Sequence, residues 1–439
     1  VGGGFIFQYL FYFADHGNPP YCVSCGSVPV KTGTAADKIV TLLYHKPGDG
    51  SKNCSKTKSE RSMSKMRKPL ELYVHIPFCV RKCDYCDFLS FPSSEEQQRG
   101  YMEALRKEIL GSESRPEHLV TSVFFGGGTP SVPPAELTAE ILELLRETFT
   151  FDSGAEITLE ANPGTLTEEK LNIYRAAGFN RLSIGCQSVH DDELRRLGRI
   201  HTHQEFLDSF AMARNCGFTN INADLMSGLP GQSLEAYETS LRTVAALGPE
   251  HISAYSLIVE PGTPFASREL ELPDEETERK MYERTGEILG EYGYTQYEIS
   301  NYAKPGYECR HNIGYWKRTD YLGFGPGAAS LMENRRYSNT TEVKRYLAQS
   351  GHPENIREQV EQLTEQECME EFMFLGLRMN QGISEQEFQR QFGKEIDAVY
   401  GNVLAKYVSS GFLWRDRGAV GLTRQGISVS NTILAEFLF

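Results

Sequence analysis

Leu70-Glu-Leu-Tyr-Val-His-Ile-Pro-Phe-Cys79 runs directly into Val-Arg-Lys-Cys83-Asp-Tyr-Cys86, so an apolar strand pattern over 72–76 ends in three cysteines within eight residues. The CxxxCxxC spacing lets each thiolate hold one iron of a [4Fe–4S] cube and leaves the fourth iron open to a small-molecule ligand. Zinc with His75 as fourth ligand, or an unliganded cysteine-rich turn, fits the same residues. Because the loop stands at the end of a strand, the elements that follow decide the fold.

Further strand patterns lie at 122–125, 156–160, 181–184, 220–226 and 251–258, with amphipathic helical patterns such as 101–110, 136–149, 168–177 and 234–247 between them. Strands alternating with helices of this length predict βαβ units and a parallel sheet. Six units predict an α/β fold, a partial (β/α)6 barrel spanning 66–300, with its chemistry at the C-terminal ends of the strands. A connector over 301–340 follows. The pattern then turns helical over 362–377, 385–391 and 396–409, with a Gly-punctuated stretch through Trp414 and Val420, which predicts a small helical, winged-helix-like domain over 341–439. Glu361, Glu365, Glu367, Glu370 and Glu371 crowd its first helix, which argues for packing or lid duty rather than contact with nucleic acid.

The 439 residues suffice for one large domain and a smaller one, and the formal charge of −14 disfavours a broad nucleic-acid footprint, which needs clustered Lys and Arg. The first 65 residues differ: a Gly-rich start, a short aromatic run over 5–13 and a polar Lys/Ser stretch over 48–68 without periodicity. They are expected to form no packed unit. With Val1 at the start and Met63 and Met66 just before the first strand, they read as an extended or misplaced beginning. The run at 5–13 is too short for a membrane span and lacks a basic lead-in, so neither signal peptide nor transmembrane helix is read. Cys22 and Cys25 form a CxxC without a second half nearby. Metal-ligand spacing of the three clustered cysteines suits a reducing cytoplasm.

Several polar motifs fall at strand ends. Gly126-Gly-Gly-Thr129-Pro-Ser131 reads as a tight strand-to-helix turn or as a backbone cradle for a ligand, and it is no Walker loop, since no Gly-Lys-Ser/Thr follows. Glu160, in Leu-Glu-Ala-Asn-Pro-Gly, and Asp224, in Ala-Asp-Leu-Met-Ser-Gly, are carboxylates suited to ribose hydroxyls or to capping a loop. Gln187 and Arg199 lie between them; an Arg fork can clasp a carboxylate in two hydrogen bonds, or form a surface ion pair.

The cysteine loop together with GGGTP resembles the radical S-adenosylmethionine superfamily. The YVHIPFC lead-in resembles the oxygen-independent coproporphyrinogen III oxidase family, and especially its HemW haem-chaperone branch, over the chain from about residue 70 onward. The resemblance implies Cys79, Cys83 and Cys86 as ligands of a [4Fe–4S] cluster. It also implies Tyr73, Gly127, Gly128, Thr129, Glu160, Gln187, Arg199 and Asp224 as S-adenosylmethionine contacts. In the oxidases a further cysteine gives CxxxCxxCxC, whereas this chain has Phe88 there, an ending shared with the chaperone branch.

His311-Asn312-Ile-Gly-Tyr315-Trp316 matches that branch's HNxxYW motif. An imidazole beside flat aromatic rings suits haem, though it is equally the composition of a satisfied core cluster. The resemblance implies haem as a ligand of His311, Asn312, Tyr315 and Trp316, an acceptor protein such as a respiratory haem protein, and an electron donor such as flavodoxin or ferredoxin. The alternative is an enzyme of porphyrin biosynthesis that oxidatively decarboxylates coproporphyrinogen III.

Overall fold

The computed structural model describes residues 67–113 and 115–438. Cys22, Cys25 and the expected N-terminal extension lie outside them. Six strands run parallel in sequential order: β1 (Lys68–Ile76), β2 (His118–Gly127), β3 (Phe151–Ala161), β4 (Arg181–Gln187), β5 (Ile221–Ser227) and β6 (His251–Ser256). The crossovers are α1 (Glu95–Gly111), α2 (Ala135–Thr148), α3 (Glu168–Ala177), the pair α4 (Asp191–Arg196) and α5 (His203–Asn215), and α6 (Leu234–Ala246). Serine or threonine caps several of them. Ser94 and Thr202 form full capping boxes with Gln97 and Glu205, and this sets where the chain turns from loop into helix.

Strand alternation sorts the residues. Leu72, Val74, Val123, Phe125, Ile157, Leu159, Leu182, Ile184, Ala223 and Leu225 pack with Leu105, Leu142, Leu171 and Leu241 of the helices in one core. The intervening residues point the other way, into the concave side of the sheet. On β1 these are Glu71, Tyr73 and His75, paired in register with Ser122, Phe124 and Gly126 of β2. Glu156, Arg181, Asn222 and His251 continue the row nearest the strand starts, and all four are buried. A sheet greasy outside and polar inside is a receptacle, since each buried polar group must find a partner or a ligand.

After β6 come α7 (Glu275–Glu291), the short β7 (Thr295–Gln296) and β8 (Asn301–Ala303), then α8 (Arg310–Trp316) and β9 (Asp320–Phe324). The sheet is open. β8 and β7 extend it beyond β6, while β9 runs parallel to β1 and carries β10 (Ala329–Met332), β11 (Arg335–Asn339) and β12 (Arg357–Gln362) antiparallel beyond it. The stretch read from sequence as a connector thus belongs to the large sheet, and strand pairing continues past residue 340. β11 and β12 have polar sequences, Arg-Arg-Tyr-Ser-Asn and Arg-Glu-Gln-Val-Glu-Gln, that carry no apolar alternation to betray them.

Helices α9 (Val343–Gln349) and α10 (Pro353–Ile356) bridge β11 to β12. The C-terminal part holds α11 (Glu365–Gly376), β13 (Ile383–Ser384), α12 (Glu385–Phe392), α13 (Ile396–Ser409), β14 (Leu413–Asp416), β15 (Ala419–Leu422), α14 (Arg424–Ser428) and α15 (Ser430–Ala435). Its strands form a separate three-stranded wing and its helices share a core around Met373, Phe388, Leu404 and Ile433. Glu371 of the acidic helix is buried and paired with Arg318 at 2.8 Å and Arg336 at 2.5 Å, so that carboxylate pins the helix to the sheet. Among the described residues no helix is long and apolar enough to cross a membrane.

Candidate functional site

The loop after β1 is fastened at several points. The Cys79 N–H donates to the Phe91 carbonyl at 3.1 Å and the Asp84 N–H to Leu197 at 3.1 Å, while the Phe265 N–H donates to the Asp84 carbonyl at 3.0 Å. Asp84 also pairs with Arg268 at 2.6 Å. So held, the unbridged thiols of Cys79, Cys83 and Cys86 all line one cavity at the C-terminal ends of the strands. Burial pushes the Cys86 thiol up to about 11 and raises Cys79 too, so a cationic metal group is needed to bring them to thiolates.

Among the described residues no group of three His, Cys, Asp or Glu side chains is gathered closely enough to hold a single ion. A cube takes each thiolate on a different iron and asks only that the three converge on one space. His75, the fourth ligand of the zinc alternative, is engaged elsewhere: Nε2 lies 2.9 Å from the Leu89 carbonyl and Nδ1 3.1 Å from the Tyr73 hydroxyl.

The cavity walls also include Gly127, Gly128, Glu160, Gln187, Arg199 and Asp224, which are six of the eight expected nucleotide contacts. Gly127 has φ +105° and no room for a side chain, since a Cβ there would stand 2.4 Å from the His75 ring. Gln187 is fully buried with φ +68°, a left-handed conformation rare for a side-chain-bearing residue and typical of binding sites. Its Oε1 accepts from Tyr255 at 2.9 Å, whereas its Nε2 finds no partner among the described residues. Arg199 Nε is likewise orphaned, while its Nη1 donates to Asn162 at 2.6 Å and Nη2 to Tyr85 at 2.9 Å. Two buried donors without acceptors beside three thiols make a cavity suited to an anionic ligand group next to a metal cluster. Asp224 accepts from Asn222 at 2.7 Å and from Ser183 at 3.3 Å, which ties the cavity to the buried polar row below it.

Two expected contacts stand back from the walls. Tyr73 stacks on Phe124 and packs with Cys309 and Ala328, with its hydroxyl turned to His75. Thr129 Oγ1 accepts from Asn162 at 2.8 Å and lies 3.5 Å from the Cys79 sulfur, lining a small adjoining cleft. Asn162, Tyr85 and Tyr255 were not anticipated. Asn162 lies two residues after Glu160 and Tyr85 lies inside the cysteine loop, so proximity to flagged residues was the available signal; Tyr255 had only its place at a strand end.

The haem expectation for HNxxYW meets a different geometry. His311 is fully buried and Asn312, Tyr315 and Trp316 nearly so. The imidazole stacks on Phe124, with Nδ1 2.8 Å from Ser122 Oγ and Nε2 3.1 Å from Tyr315 Oη. Glu156 Oε1 accepts from the backbone N–H groups of Arg310 at 3.1 Å and His311 at 3.4 Å. α8 thus closes the polar end of the sheet opposite the cysteine cavity, and both His311 nitrogens are spent on it. In this structure the imidazole sits as a buried strut, with both nitrogens partnered inside the sheet, and burial lowers the His311 pKa to about 3.

Comparison with known proteins agrees with this architecture. The radical SAM superfamily profile matches residues 73–244 and the HemN C-terminal domain profile matches 363–429. Heme chaperone HemW of Bacillus subtilis is 39% identical over 375 residues, covering 83% of this chain and 98% of that protein. HemW of Haemophilus influenzae is 37% identical and covered to 98%. The mitochondrial radical S-adenosyl methionine domain-containing protein 1 of Danio rerio is 32% identical over 84% of this chain and 86% of its own. Among solved structures, the coproporphyrinogen III oxidase HemN of Escherichia coli superposes with a TM-score of 0.74 at 26% identity, over 85% of this chain and 91% of that one.

Proposed function

The chain belongs to the HemW haem-chaperone family of the radical S-adenosylmethionine superfamily, and from that premise we propose that it binds haem and passes it to an acceptor protein. The family carries a [4Fe–4S] cluster and S-adenosylmethionine, and the residues present fit both groups. Cys79, Cys83 and Cys86 would hold three irons. Arg199 and Gln187, each with an orphaned donor, would take the methionine carboxylate; Gly127 and Gly128 would offer backbone to its amino group, and Glu160 and Asp224 would accept from ribose hydroxyls. Met226, Leu257 and Ile258 supply an apolar wall that excludes water from the cavity. When bound, the cluster supplies an electron to the sulfonium centre, a capacity that suits a gating role in the chaperone.

The observation that carries the chaperone reading over the oxidase is Phe88. It lines the cysteine cavity at the position where the oxidase pattern has a fourth cysteine, and so replaces a thiol with an apolar ring. The acceptor would be a respiratory haem protein and the reductant a flavodoxin or ferredoxin, in a reducing cytoplasm. The test is anaerobic titration of the reconstituted chain with haem, followed by mixing with an apo-haem protein. A shifted Soret band that moves to the acceptor is expected. No shift, with conversion of coproporphyrinogen III to protoporphyrinogen IX instead, would overturn it in favour of the oxidase.

A further inference from the structure

A second cavity shares Tyr255 and Ser256 with the cysteine cavity as a common wall. It opens between the end of β6, one face of α7, the β7–β8 turn and the C-terminal helices. Its interior volume is about 130 Å³, and it opens to solvent. Its chemistry is divided. Tyr237, Ala254, Ile299, Leu422 and Ile427 give apolar surface, while Arg378 and Arg279 are cationic, with Glu275 as the opposing acid. Ser300, Asn380 and Asn431 add neutral hydrogen-bonding groups.

Arg378 is nearly buried, and its guanidinium lies 5.9 Å from the centroid of the Trp316 ring. Arg279 is about one-third exposed, paired with Glu276 at 2.8 Å and Glu283 at 2.6 Å. Trp316 therefore stands behind Arg378 and connects the HNxxYW motif to this cavity without reaching into it. An apolar slot with arginines at its polar margin is complementary to a flat hydrophobic molecule bearing carboxylates.

We propose that this cavity is the haem seat, resting on the haem-chaperone reading above: the propionates meet Arg378 and Arg279, and the macrocycle lies against Ile299, Leu422 and Ile427. The interior is too small for a whole macrocycle, so the outer edge stays in the open mouth, where an acceptor can take hold of it. Trp316 acts as a positioning residue by backing Arg378. Among the described residues no histidine, cysteine or methionine lines the cavity, so the iron takes no ligand from His311. The shared wall places haem next to the bound S-adenosylmethionine, separated by Tyr255, whose hydroxyl holds Gln187. Occupancy of one cavity is thereby felt in the other.

The test uses the full, anaerobically reconstituted chain, with haem and haem dimethyl ester as probes and the Soret shift as readout. Arg279→Gln removes a charge at the rim and Ile427→Trp fills the slot. Each is checked for unchanged cluster absorbance and S-adenosylmethionine binding, so that a misfolded variant is recognised. At least tenfold weaker haem binding by both variants is expected, together with at least tenfold weaker binding of the ester by the unaltered chain and an undiminished shift in His311→Ala. Haem binding by both folded variants at the affinity of the unaltered chain overturns the placement while leaving the chaperone reading intact. No haem binding by the unaltered chain overturns that reading, and the placement falls with it.

Discussion

Arg199 donates from Nη2 to the hydroxyl of Tyr85 at 2.9 Å, and so joins the residue between the second and third cluster cysteines to the segment that follows α4. The same guanidinium reaches Asn162 at 2.6 Å and lines the cavity with an orphaned Nε. It braces the loop and keeps a donor turned to the cavity. Charge-assisted hydrogen bonds contribute about 1.5–3 kcal/mol each. Arg199→Ala is therefore expected to weaken S-adenosylmethionine binding by about 10–100-fold while leaving most of the iron in place. Anaerobic calorimetry beside iron and sulfide assays measures both, and unchanged affinity would remove Arg199 from the ligand's contacts.

Gly128 lies where no side chain fits. A Cβ there would stand 2.8 Å from the backbone N and O of Phe78, the residue just before Cys79, and backbone has no rotamer with which to yield. Gly128→Ala is expected to push the cysteine loop outward and to reduce iron incorporation to less than half. Quantifying iron per chain after identical reconstitution decides it, and full loading would show the loop more compliant than its hydrogen bonds imply.

His311→Ala should act on stability rather than on haem. The substitution removes one partner from each of the Ser122 and Tyr315 hydroxyls and opens a gap beside Phe124. Lost partners and cavity together cost about 2–4 kcal/mol. The urea midpoint should fall by a corresponding amount, with the haem Soret shift retained. Loss of the shift in folded protein would return His311 to the haem.

Glu108 makes stability depend on pH. Its carboxylate accepts from the Gly325 N–H at 2.8 Å, Asn339 at 2.6 Å and Tyr346 at 2.7 Å, yet full burial outweighs these donors and raises its pKa from 4.5 to about 7. Between those values the folded chain keeps a proton that the unfolded chain has released. Stability from this group is therefore complete below about pH 4.5 and is lost as pH rises through 7, by no more than about 3 kcal/mol. Glu108→Gln does not titrate. Its melting temperature relative to the unaltered chain should climb from pH 5 to pH 7.5 and then level off; a constant difference would mean that Glu108 is ionised throughout.

The legible parts of this molecule were those with a local signature. Period-two apolar runs such as 72–76 and 181–184 marked the parallel strands, and the cysteine spacing and Gly126-Gly-Gly-Thr129 marked the cavity floor. Six of the eight expected nucleotide contacts line one cavity: Gly127, Glu160, Gln187 and Asp224 lie on strands of the parallel sheet and Gly128 just after one, while Arg199 reaches it from the segment after α4. Tyr73 fell short although it lies no deeper in β1 than Asp224 lies in β5: its ring stacks on Phe124 and its hydroxyl turns to His75. β11 and β12 were invisible because their sequences are largely polar and carry no apolar alternation, and only β12 stands at the sheet edge.

Sequence by itself determined the chemistry: three thiols at cluster spacing, glycines at strand ends, and a strand–helix order that permits only a short list of topologies, since backbone periodicity and ligand spacing are local properties. Which face HNxxYW presents was decided only by folding. The motif's composition suits haem and a buried strut equally, and the burial it adopts rests on residues far away in the chain, Ser122, Glu156 and Phe124, which it meets in the sheet interior. The cavity at Tyr255 likewise exists only because the C-terminal helices close against α7 and β6, a juxtaposition that no local pattern encodes.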